Sequence, residues 1–95
     1  MTVEELKTNL EKISSELTSS GFSSIDPGMM EKLEKLSVSA AELGMKEGKH
    51  LIENLLNAIR AIHEGKSKAD SGTLRLTALD FYLKKLSGSD KIEDL

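Results

Sequence analysis

The sequence predicts an all-α protein, an antiparallel four-helix bundle forming one domain over residues 1–86, with a flexible tail at 87–95. Three observations lead there. Apolar residues recur at three- and four-residue steps in four separate stretches, the spacing of one buried face on a helix. Glycine, proline and serine divide the stretches, and these residues stop helices or open turns. No segment alternates apolar with polar residues as a half-buried strand would, and no internal repeat is present.

The first helix is expected near 2–19. Thr2 and Glu5 stand at capping-box spacing, where each side chain can satisfy the other's backbone donor. Leu6, Leu10, Ile13 and Leu17 form its inward stripe, and Thr18-Ser19-Ser20-Gly21 ends it. Phe22 and Ile25, in the Ser-rich connector, are expected to pack under the loop as a plug. Asp26-Pro27 opens the second helix, near 27–43, as an N-cap acceptor followed by proline at the first helical position. Met30, Leu33, Leu36, Ala40 and Leu43 face inward, and Gly44 is the expected stop. The third helix, near 46–64, carries Leu51, Ile52, Leu55, Ile59 and Ile62 and ends at Gly65. Lys66 to Gly72 read as a loop. Ser71 or Thr73 then caps a fourth helix near 73–86, whose Leu74, Leu76, Ala78, Leu79, Phe81, Tyr82, Leu83 and Leu86 cover more than half of its circumference. Such an arc belongs to a central helix of the bundle or to one that also meets another chain.

Composition narrows the function. Apolar residues make up 38% and charged residues 31% of 95, a globular balance. With only Phe22, Phe81 and Tyr82 as aromatics, the core rests on Leu, Ile, Met and Ala. There is no cysteine, hence no disulfide or thiolate chemistry. Thirteen basic residues are scattered among sixteen acidic ones, giving a net charge of −3, which argues against a nucleic-acid partner. The N-terminal residues have no apolar signal-peptide core. No apolar run approaches the roughly 18 residues of a membrane span, so the chain is expected to be cytoplasmic.

No nucleophile elbow, phosphate-binding loop or metal-ligand spacing appears, so neither enzymatic activity nor a cofactor or metal is expected. His50 and His63 are the two candidate phosphoacceptors. Lys66, three positions after His63, could steady a phosphoryl group. Against this, Gly65 breaks the helix between them, and a cationic residue near a helix C-terminus also complements the dipole. His50 falls on the polar side of its helix with no acid or base partner in sequence. On the second helix Glu34, Val38, Ala41 and Met45 form a strip roughly 100° or more around from the core stripe. That strip either contacts the first or fourth helix or forms a docking surface.

The segment LEKLSVSAAELGMKEGKHLIENLL, Leu33 to Leu56, resembles the core of histidine-containing phosphotransfer (HPt) domains. Leu36, Ser39, Ala40 and Gly44 match the family pattern H-x-L-K-G-S-A-x-x-x-G, and Leu51, Leu55 and Leu56 suit its following helix. Helix number and lengths agree over about residues 2–86. Glu34 stands where the family has its phosphorylated histidine, Ser37 where it has a lysine, and Val38 where it has a small glycine. The resemblance implies an HPt-like adaptor of two-component signalling that has lost phosphotransfer. It would bind a protein partner such as a receiver domain through Glu34, Val38, Ala41 and Met45. Two other functions remain open: phosphotransfer on His50 or His63, and a structural or assembly role in which the apolar face of the fourth helix forms a homodimer or clamps a partner helix.

Overall fold

The computed structural model describes residues 1–22, 25 and 27–93, and of Ala69 and residues 87–93 the backbone only. The described residues form four helices and no strand: α1 (Val3–Ser20), α2 (Pro27–Glu42), α3 (Lys46–His63) and α4 (Ala69–Glu93). None is long and apolar enough to cross a membrane.

The first three helices begin and end where local chemistry directs. At α1 the capping box is complete: Thr2 Oγ1 accepts from the Glu5 N–H at 3.1 Å, and Glu5 Oε1 accepts from the Thr2 N–H at 3.0 Å. Two of the donors that a helix start leaves unsatisfied are thereby paired. Pro27 is the first residue of α2; the expected cap Asp26 lies outside the described residues. α2 and α3 close with the same backbone device. Gly44 and Gly65 adopt φ of 78° and 75°, a region costly for any residue with a Cβ. The following N–H groups of Met45 and Lys66 then turn back to the Ala40 and Ala61 carbonyls at 2.9 and 2.8 Å, satisfying acceptors that a helix end would expose.

α4 departs from the sequence reading at both ends. It starts at Ala69, ahead of both expected caps, so Ser71 and Thr73 lie within it. The small polar residues before Thr73 look like a loop by composition, but Gly72 is buried inside the helix. A Cβ there would sit 2.9 Å from Ile62 Cδ1 and 2.9 Å from Phe22 Cε1, so the missing side chain is what lets α4 close on the loop plug. The helix also passes Leu86, its expected end, and runs to Glu93. Residues 87–93 contain one glycine and no proline, and a single glycine weakens a helix without removing a hydrogen bond. Residues 94 and 95, the end of the expected tail, lie outside the described residues.

Packing follows the stripes. Leu6, Leu10 and Leu17 of α1, Leu33 of α2, Ile52, Leu55 and Ile59 of α3, and Leu79 of α4 are fully buried, with Phe22 and Ile25 joining the core from the connector. Each helix adjoins two others: α1 meets α2 and α4, while α3 meets the same two over larger interfaces. The diagonal pairs do not meet among the described residues. α4 is therefore not a central helix. It buries Leu76, Leu79 and Leu83 and leaves Leu74 65% and Phe81 61% exposed. A polar contact crosses the α1–α4 interface, where the buried Ser14 hydroxyl donates to the Asp80 carboxylate. No buried side-chain polar atom lacks a partner among the described residues, as a well-formed core requires.

Candidate functional site

α2 and α3 frame an open groove of about 520 Å³ lined by Glu34, Ser37, Val38, His50 and Arg60 among others. Leu33, Leu36 and Ala40 turn inward on α2, so the intervening Glu34 and Val38 turn outward by the helical period. Val38 is 58% exposed, a large apolar side chain in water. Glu34 pairs with the Arg60 guanidinium of α3, and both side chains are about half exposed (53% and 50%). Solvent screens a pair of this kind, so its contribution to stability is on the order of 0–1 kcal/mol. Its main effect is to hold the Glu34 carboxylate against one wall of the groove.

The strip anticipated on α2 is divided. Glu34 and Val38 line the groove and Ala41 is exposed beyond it, but Met45 is half-buried and packs against the core. Its N–H closes the end of α2 on the Ala40 carbonyl, so Met45 belongs to the α2–α3 turn. Beside Glu34 and Val38 the tertiary structure brings Arg60 and His50 into the groove lining. His50 is exposed and faces the same groove as Glu34. Glu34 and Arg60 stand 26 positions apart, a separation at which no helical periodicity reports a neighbour.

His63 occupies a different setting. Its Nε2 donates to the Phe22 carbonyl at 3.1 Å, tying the end of α3 to the connector, and it borders a second hollow with Ile25, Pro27, Met30 and Glu34. Glu34 thus sits on the ridge between the two hollows. Lys66 does not join His63: its ammonium lies 3.8 Å from Glu64, beyond the turn made at Gly65.

A third hollow, between α3 and α4, is lined mainly by apolar groups, including Leu51, Leu74, Ala78, Phe81 and Tyr82. At its edge the Tyr82 ring lies over Gly48, where a Cβ would come within 3.2 Å of the hydroxyl oxygen. The N-cap of α3, Met45, makes no side-chain capping bond, and the Tyr82 hydroxyl stands at the Gly48 N–H of that first turn. Burial raises the Tyr82 pKa above its ordinary value and the Glu47 charge adds to this, while the Gly48 N–H works in the opposite direction. Among the described residues no group of three or more His, Asp or Glu could hold a metal ion. Comparison with family models, curated proteins and solved structures finds no match.

Proposed function

We propose that this chain is an antiparallel, HPt-like bundle that has given up phosphotransfer and serves as a cytoplasmic signalling adaptor, docking a protein partner such as a receiver domain on the α2–α3 groove. The observation that carries the reading is the exposed Glu34 carboxylate, braced by Arg60 on the groove wall with Val38 one turn further on. That is the position where the resemblance puts the phosphorylated histidine. A carboxylate there cannot exchange a phosphoryl group as an imidazole does, but it presents fixed negative charge, and Val38 adds apolar area for a partner to cover. The antiparallel arrangement is supported by the proximity of Gly48 to Tyr82 and of Ile62 to Gly72 across α3 and α4.

A backbone NMR titration with a panel of receiver domains tests this. Shifts at Glu34, Val38, Ala41, His50 and Arg60, and loss of binding in Val38→Asp, are expected. Binding unchanged in both Val38→Asp and Glu34→Ala would refute the docking surface. Relay on His50 is a second reading, drawn from its exposure in the same groove. Acid-labile phosphate on His50 after incubation with a phosphorylated receiver would put that reading in place of the first.

A further inference from the structure

The outward face of α4, which also forms one wall of the hollow against α3, carries a stripe that stays exposed. Asp70, Leu74, Thr77, Ala78, Phe81 and Lys85 are all exposed, and at about 100° per residue they fall within an arc of roughly 100°. The inward residues Gly72, Leu76, Leu79 and Leu83 occupy the opposite side. The stripe has an internal order. Leu74 and Phe81 lie equally far on either side of a midpoint between Thr77 and Ala78, and so do Asp70 and Lys85. The apolar pattern is therefore symmetric about that point and the charge pattern antisymmetric.

We propose that this face is the seam of a homodimer in which α4 of one copy packs antiparallel on α4 of a second copy, with the two-fold axis passing between Thr77 and Ala78. A two-fold contact is made by one patch meeting itself, and this patch is complementary to itself in only one direction. In the antiparallel register Leu74 meets Phe81 of the second copy and Asp70 meets its Lys85, each pair occurring twice. Exposed Lys84, at the edge of the stripe, falls opposite Ser71, so no like charges of the two α4 stripes are opposed. A parallel register would set Asp70 against Asp70 and Lys85 against Lys85. Thr77 and Ala78 are small, and small residues at the crossing let two helix axes approach to about 8–10 Å. Within one copy the Lys85 ammonium stands 5.0 Å from the Phe81 ring centre, so it already lies along the seam.

Sedimentation equilibrium over a wide concentration range tests the proposal, with circular dichroism verifying that each variant is folded. A species of twice the 10.4 kDa chain mass is expected at high concentration. Phe81→Glu should weaken association at least tenfold. Asp70→Lys and Lys85→Asp should each weaken it several-fold, and the double exchange Asp70→Lys/Lys85→Asp should restore it, because each new charge again meets its opposite. A chain that stays monomeric up to millimolar concentration would overturn the proposal. So would a dimer indifferent to Phe81→Glu, or one in which the double exchange is no better than either single change.

Discussion

Replacing Gly72 by alanine should destabilise this protein even though alanine is the better helix former. Gly72 lies within α4, where helix propensity alone favours Gly→Ala by about 1 kcal/mol. The tertiary setting opposes that gain. The new methyl would sit 2.9 Å from Ile62 Cδ1 and 2.9 and 3.0 Å from Phe22 Cε1 and Cδ1, well inside the roughly 3.5–4.0 Å of a relaxed carbon contact. Ile62 can yield, because its contact atom is the end of a flexible, half-buried side chain. Phe22 has less room: its ring is buried in the core and its carbonyl accepts from His63. Overpacking of this kind costs about 1–3 kcal/mol, so the net loss should be on the order of 1 kcal/mol. For a domain of this size that lowers Tm by about 4–8 °C. Urea denaturation and thermal melting followed by circular dichroism would measure it. Ile62→Val removes Cδ1, and in that background Gly72→Ala should cost at least about 0.5 kcal/mol less. A Gly72→Ala variant that is more stable than the parent by the full propensity gain would refute the close approach of Phe22, Ile62 and α4.

Three further outcomes are expected. Glu5 should titrate below the ordinary carboxylate range, because the Thr2 backbone N–H and then the Thr2 side chain stabilise its charged form. The stability this carries is present above the unfolded-state pKa and lost as pH falls through the folded one; Thr2→Ala removes the side-chain contribution but keeps the backbone donor, so an NMR pH titration should find Glu5 moved only part of the way back toward its usual value. Tyr82 should ionise above its ordinary pKa, chiefly through burial, so the associated stability is present below the unfolded-state value near 10 and is lost as pH rises through the folded value. Spectrophotometric titration of this single-tyrosine chain reads that midpoint directly, and a midpoint at or below 10 would contradict the packing of Tyr82 against α3. Arg60→Ala should change unfolding free energy by less than about 1 kcal/mol while altering binding at the groove; a larger stability loss would mean that the Glu34 pair holds α2 on α3.

What could be read along the chain was what the backbone settles within four residues. The capping box at Thr2 and Glu5, the proline at the start of α2 and the stops at Gly44 and Gly65 depend on near neighbours, and all stand where the residue types put them. The inward stripes of α1 to α3 were equally legible, because three- and four-residue spacing leaves one arc to bury. On α2 the same spacing placed Glu34 and Val38 outside the core, yet it could not show that Met45 is drawn into the turn or that His50 and Arg60 complete the groove.

The misreadings share a cause. Gly72 looked like part of a loop because a glycine's local signature is the same whether it turns the chain or admits a neighbour; only the Phe22 ring and the Ile62 side chain, brought in from elsewhere in the chain, distinguish the two. The apolar residues of α4 encircle more than half of the helix, so the wheel offered no unique inward side. The sequence by itself determined four helices, most of their ends and the residues able to form a core. Tertiary packing alone decided which half of α4 is covered, that Arg60 stands against Glu34, and that Leu74 and Phe81 remain exposed, because each depends on where a distant helix lies rather than on what the next turn contains.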